Sequence, residues 1–155
     1  MPLPKSVTKF DKNGVKFVSS VDRASYTIRE LTRAALRDVG RLITRECAIR
    51  VRQINPQMRH AKWAPKRYQY WVRSQECDLQ VGIENTKFGA ETAWWADQAE
   101  LGTKNQPKRG ILRGSTYDHI SDIRRIEAQY LSYIDDELKA QQVINEEEEV
   151  GSSDD

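Results

Sequence analysis

The chain has 155 residues, 38% hydrophobic and 31% charged, which predicts one domain with a modest core beneath a densely charged surface. Two cysteines, with no Cys-x-x-Cys spacing, argue against a disulfide scaffold or a thiolate zinc site and fit reduced thiols in a cytoplasm. The net charge of +2 hides a split: residues 1–75 hold 17 Lys/Arg against 5 Asp/Glu, and residues 76–155 hold 8 against 18.

Residues Val7 to Val21 read as a hairpin. Asn13-Gly14 favours a two-residue turn with positive φ, which sets Lys12 against Val15, Asp11 against Lys16 and Phe10 against Phe17. Two strands alone are marginal in water, so this arm leans either on its own domain or on a neighbouring subunit.

Ala24 to Ile54 carries the longest helical pattern. Ile28, Leu31, Ala35, Val39, Leu42 and Ile49 are the expected buried stripe. Arg29, Arg33, Arg37, Arg41 and Arg45 recur every four residues, a row that winds around the helix rather than forming a flat plate. Glu30, Asp38 and Glu46 are spaced to bridge Arg33, Arg41 and Arg50, which gives a solvated, ion-paired face; a partner-facing or DNA-facing surface is the other reading.

The stretch from Asn55 to Lys66 holds Pro56 and Pro65 and reads as a loop. Arg59, His60, Lys62, Lys66 and Arg67 surround Trp63, a combination able to track phosphates and stack on a base. The same tryptophan equally serves to anchor the loop on its own core. Two strands follow, Arg67–Ser74 and Asp78–Glu84. Tyr68, Tyr70 and Val72 on the first, and Leu79, Val81 and Ile83 on the second, supply one buried face. Trp71 on the opposite face suggests that this side is covered too.

From Ala90 the pattern is helical through Trp94, Trp95, Ala99 and Leu101. Gly102 stands where a helix needs a left-handed C-terminal residue, and Pro107 follows as a stop. An exposed polar loop then leads to Ile111-Leu112. Ser115 with Asp118 reads as a capping box opening a last helix from Thr116 to about Gln141, whose core stripe is Ile120, Ile123, Tyr130, Ile134 and Leu138. Beyond Val143 the chain is acidic and small, which predicts a disordered tail over residues 144–155.

No catalytic constellation emerges. His60 lies among cations and His119 in a first helical turn, neither beside a Ser or Cys in a recognisable motif. The glycines form no phosphate loop, and no carboxylate, His or Cys cluster has ligand spacing, so no cofactor and no metal are expected. No run reaches the length of a membrane span, and residues 1–14 lack the apolar core of a signal peptide. A basic half and an acidic half suit self-association through complementary patches, or contact with nucleic acid on one side.

The run Trp95-Ala96, Ala99-Glu100-Leu101-Gly102-Thr103, then Pro107 and Ile111-Leu112-Arg113, resembles a family of small neck or tail-completion proteins of long-tailed bacteriophages. That family shows a Tyr-Ala pair, a Val-Glu-aromatic-Gly-Thr run and a Pro-Phe-(Leu/Met)-Arg-Pro-Ala stretch in this order. Here Trp94-Trp95 replaces Tyr, and Gly114-Ser115 stands where Pro-Ala is usual. The resemblance spans roughly Leu31 to Leu138. It implies a non-enzymatic virion protein, made in the host cytoplasm, that closes a cyclic ring, six-fold in the family. Its neighbours would be head–tail connector and tail-tube proteins, with DNA passing through the channel.

The expected architecture is therefore α+β, a small antiparallel sheet packed against a long N-terminal helix and a C-terminal helix, with an N-terminal β-hairpin. Its expected divisions are a hairpin arm over 1–22, an α+β domain over 23–143 and the acidic tail. Phe10, Phe17, Lys108, Arg109 and Arg113 are the expected subunit contacts. Arg59, Lys62, Trp63, Lys66 and Arg67 are the expected contacts in the alternative reading, a cytoplasmic nucleic-acid-binding module.

Overall fold

The computed structural model describes residues 7–12, 15–19, 21–54, 68–73, 76–83, 98–105 and 107–152. Strands β1 (Val7–Lys12) and β2 (Val15–Ser19) form the antiparallel hairpin, with Phe10 opposite Phe17, Asp11 opposite Lys16 and Lys12 opposite Val15. A bulge between Thr8 and Phe10 interrupts the ladder. The Asn13-Gly14 turn itself lies outside the described residues.

Helix α1 runs from Val21 to Ile54. Its buried row is Leu31, Ala35, Val39, Ile43, Cys47 and Val51, a step of four at every position. Of the stripe expected from sequence, Leu31, Ala35 and Val39 hold, Leu42 and Ile49 are only half-buried, and Ile28 is 44% exposed. A four-residue step overshoots a full turn by about 40°, so the buried row winds around the helix axis. The arginine row Arg29, Arg33, Arg37, Arg41 and Arg45 has the same step and is offset by two residues, about 200° away. Both rows therefore wind together, one on each side of α1.

Strands β3 (Tyr68–Arg73) and β4 (Asp78–Ile83) pair antiparallel, Tyr68 opposite Ile83 and Val72 opposite Leu79. Tyr68, Leu79 and Val81 pack on a core of Val39, Ile43, Cys47, Val51, Ala99 and Ile111. Gly40 lets the sheet come this close, because a Cβ there would lie 2.5 Å from Cδ2 of Tyr70. Trp71 is 37% exposed, so among the described residues nothing fully covers the second face.

The expected single last helix is three pieces: α2 (Ile111–Asp118), α3 (Ile120–Leu131) and, after a 3-10 turn over Ser132–Asp135, α4 (Glu137–Ser152). Each break resets the helical phase. Ile123 packs against the core and Tyr130 is buried, as expected, whereas Ile120, Ile134 and Leu138 are 38%, 40% and 74% exposed. The tail expected to be disordered from residue 144 continues as helix through Ser152. Glutamate is a good helix former, and Ala140 and Ile144, both buried, anchor the segment that the acidic run extends.

The architecture is α+β, with the small sheet packed against helices. By contact density the chain divides into two compact units, residues 1–35 with 127–155, and residues 36–126. The first contains the hairpin, the start of α1, the end of α3 and α4. The second contains the rest of α1, the β3–β4 sheet, α2 and most of α3.

Candidate assembly elements

The residues of the central loop fold into one tightly bonded corner of the second unit. The helical residues 98–101 end at Gly102, which has φ +81° and donates its N–H to the carbonyl of Gln98 at 2.7 Å. This is the left-handed terminus that the sequence predicts. The chain then doubles back, and Arg109 N–H donates to the Ala99 carbonyl at 2.8 Å. A Cβ on Gly102 would lie 2.9 Å from the backbone nitrogen of Lys108, so the return path also requires a glycine.

Gly110, with φ +54°, makes the second turn and precedes α2 without offering any side chain to cap it. The cap comes from Glu100 instead. Its Oε2 accepts from Leu112 N–H and its Oε1 from Arg113 N–H, both at 3.0 Å. A carboxylate placed across two free N–H groups at a helix start satisfies orphan donors and complements the helix dipole. The capping box expected at Ser115 and Asp118 is not formed, because Ser115 lies inside α2 and is 1% exposed.

Below the corner lies a small polar inclusion in the core. Burial pushes the Cys47 thiol up to about 11, with Glu100 and Glu46 reinforcing the rise and a hydrogen bond from Ser115 and the charge of Arg50 opposing it. Burial likewise raises the Tyr68 phenol, helped by Cys47 and Glu100. The buried Ser115 hydroxyl oxygen makes no hydrogen bond of ordinary geometry among the described residues, so it acts on the Cys47 sulfur through proximity. His119, expected in the first turn of the last helix, instead ends α2 and is half-buried. Its Nδ1 meets the Ser115 carbonyl at 2.9 Å and its Nε2 lies 3.6 Å from Glu46. The imidazole thus engages the backbone of Ser115 and not its hydroxyl, an arrangement that orders the helix end and activates no nucleophile.

Arg50 pairs with Asp118 rather than with Glu46, and its guanidinium lies over Gly114, where a Cβ would stand 3.0 Å from Cζ. The expected Glu30–Arg33 and Asp38–Arg41 bridges are both present at 2.8 Å. Of the expected subunit contacts, Lys108 and Arg113 are exposed and Arg109 is half-buried, with Arg113 in the first turn of α2 rather than in the loop. Phe10 and Phe17 are Cα partners in the hairpin, which belongs to the other unit. Arg59, His60, Lys62, Trp63, Lys66 and Arg67, and also Trp94 and Trp95, lie outside the described residues.

Among the described residues no group of three or more His, Cys, Asp or Glu is arranged to hold a metal ion, and no helix is long and apolar enough to cross a membrane. Sequence reasoning paired Glu46 with Arg50 and Asp118 with Ser115, where the structure pairs them with His119 and Arg50, and it missed Glu100 as the cap of α2. Only the position of Glu100, two residues before the glycine stop, hinted at its role. No known protein family, curated protein or solved structure matches the chain.

Proposed function

We propose that the chain is a structural assembly protein and, within that class, a neck or tail-completion component of a tailed bacteriophage that closes a ring where tail meets head. One observation carries this reading. Of the residues bearing the resemblance, Ala99 to Thr103 and Ile111 to Arg113 form a single bonded unit, in which Gly102 turns the chain and Glu100 holds the start of α2, while Trp95 and Ala96 lie outside the described residues. A motif whose members depend on one another physically is stronger support than a scatter of identities. The corner carries exposed Lys108 and Arg113 on a rigid base, as a subunit contact requires. Function enters through association: each subunit offers two different patches, and their repeated pairing closes a ring.

Electron microscopy of the purified chain tests it. Uniform rings with a central opening are the expected result. Monomers at every concentration, together with salt-sensitive binding to duplex DNA, would replace this reading with a nucleic-acid-binding module.

A further inference from the structure

The part of α1 that belongs to the second unit carries one face of a single charge sign. Arg37, Arg41, Arg45, Ala48 and Arg52 follow one another at steps of four, four, three and four residues, which places all five within an arc of about 80°. The three-residue step to Ala48 undoes the winding of the arginine row and returns Arg52 to the middle of the arc. No aspartate or glutamate of α1 lies inside it. Asp38 stands at its edge and pairs with Arg41 at 2.8 Å, whereas Arg37, Arg45 and Arg52 have no ion-pair partner among the described residues. The unit packs elsewhere on the helix. Helix α2 meets α1 where His119 approaches Glu46 and Asp118 approaches Arg50, and the sheet meets it where Tyr70 lies over Gly40. These three positions stand about 100° or more from the midline of the arginine arc. Arg45 and Arg52 are exposed, and Arg37 and Arg41 half-buried.

We propose that this face binds the phosphate backbone of duplex DNA. The four guanidiniums are set along about 22 Å of one helix, a length over which a duplex presents about 13 phosphate charges. Arginine at all four positions suits phosphate, because the planar fork stays charged and can donate two parallel bonds to two oxygens. The acidic end of a second copy is the poorer occupant. Glu146 to Glu149 are consecutive on α4, so their positions spread over about 300° of that helix and form no stripe to match the arginines. Duplex RNA is poorer too: the major groove of B-form DNA, about 12 Å wide, admits a helix, whereas that of RNA is deep and narrow. Backbone contact of this kind is indifferent to base sequence. It requires no ring, so it stands apart from the assembly reading.

Fluorescence anisotropy of a short labelled DNA duplex of mixed sequence, titrated with the full chain over a range of salt, tests it. Log K is expected to fall against log salt with a slope of about −3 to −4, one phosphate for each arginine. Arg37→Gln, Arg45→Gln and Arg52→Gln should each reduce that slope by about one, and the triple variant should lose most of the binding. Circular dichroism checks that each variant is folded. No binding at low salt, or a slope unchanged in the triple variant, overturns the site. An equal loss from Arg124→Gln, exposed on α3, would assign the binding to net charge and overturn it too. RNA duplex bound as tightly as DNA overturns the choice of partner. Self-association weakened both by the triple change and by removing residues 147–155, with DNA ignored, would give the face to the acidic end of a second copy instead. Rings that ignore DNA overturn this site and leave the ring reading standing. Monomers that bind DNA through these arginines uphold the site and overturn the ring.

Discussion

The Glu100 carboxylate caps a helix that begins eleven residues later in the chain, accepting the N–H groups of Leu112 and Arg113 at 3.0 Å each. Replacing Glu100 with Ala removes both of these acceptors from the helix start and is expected to cost about 1–2 kcal/mol. Gln keeps one acceptor but turns an N–H₂ toward the other donor, so it should recover part of the loss and no more. Urea unfolding of the three proteins gives the order Glu, Gln, Ala in stability. An Ala variant as stable as the parent would show that water caps α2 equally well.

Gly102 and Gly110 both have positive φ, but their surroundings differ. A Cβ on Gly102 meets the backbone of Lys108 at 2.9 Å, while one on Gly110 meets nothing within 4 Å. Gly110→Ala is expected to cost about 1 kcal/mol, the strain of a left-handed residue alone. Gly102→Ala carries the same strain plus the backbone contact and should cost more. Denaturation midpoints rank the two, and equal losses would mean that the loop relaxes away from Gly102 freely.

Gly40 gives a prediction of opposite sign to helix propensity. In an exposed helix interior, replacing Gly with Ala stabilises by about 1 kcal/mol. Here the new methyl would lie 2.5 Å from the Tyr70 ring, so the sheet must move off α1 or the ring must leave its rotamer. Overpacking typically costs about 1–3 kcal/mol, which outweighs the propensity gain. Gly40→Ala should therefore lower the melting midpoint, and Gly40→Ala with Tyr70→Ala should recover the propensity gain relative to Tyr70→Ala alone. A higher midpoint for Gly40→Ala by itself would mean that the ring swings aside at little cost.

Local chemistry was legible in the sequence, and contacts across long separations were not. The hairpin register followed from Asn13-Gly14 and paired residues, the β3–β4 sheet from strict alternation, and the left-handed Gly102 from its place after an apolar helix. The core row of α1 was half legible. Averaging the period to 3.6 picked Leu42 and Ile49, whereas the row holds a step of four and passes through Ile43, Cys47 and Val51. The arginine row displayed that same winding step openly and, read as the complement of the core, would have located it. Ser115 looked like a cap because cap preferences are local. Nothing local reveals that Glu100 reaches forward to Arg113, or that Arg50 finds Asp118 across 68 residues. The same limit applies at the C-terminal end: exposed Leu138 looked like core because the breaks after α2 and α3 shift the phase.

The C-terminal helix divides at Ile144. Up to that residue Ala140 and Ile144 are buried, and beyond it the described side chains of Asn145 and Glu146 are exposed. Deleting residues 147–155 should leave the melting midpoint nearly unchanged, since a run of like charges adds little to a helix end. Ile144→Ala should cost about 2 kcal/mol from lost burial and the cavity left behind. If the truncation costs as much as Ile144→Ala, the acidic end docks on the protein.

Cys47 makes stability fall in alkali. Its thiol ordinarily ionises near 9.0, and burial in the fold raises that to about 11. Below pH 9 the thiol is protonated in both folded and unfolded chains, and its contribution is fully present. Between about pH 9 and pH 11 the unfolded chain releases the proton while the folded one retains it, so stability declines as pH rises. Tyr68, raised in the same direction, adds to the decline at the upper end. Cys47→Ala should flatten the slope of unfolding free energy against pH in this window while lowering stability at neutral pH through a small cavity. The same burial keeps the thiol inert, because the thiolate is the nucleophile. An alkylating reagent near pH 8 should therefore modify the half-buried Cys77 in the folded chain and leave Cys47 until denaturant is added. Two thiols modified at equal rates in the native protein would mean that the core around Cys47 opens far more readily than its packing against Ile111 and Val51 implies.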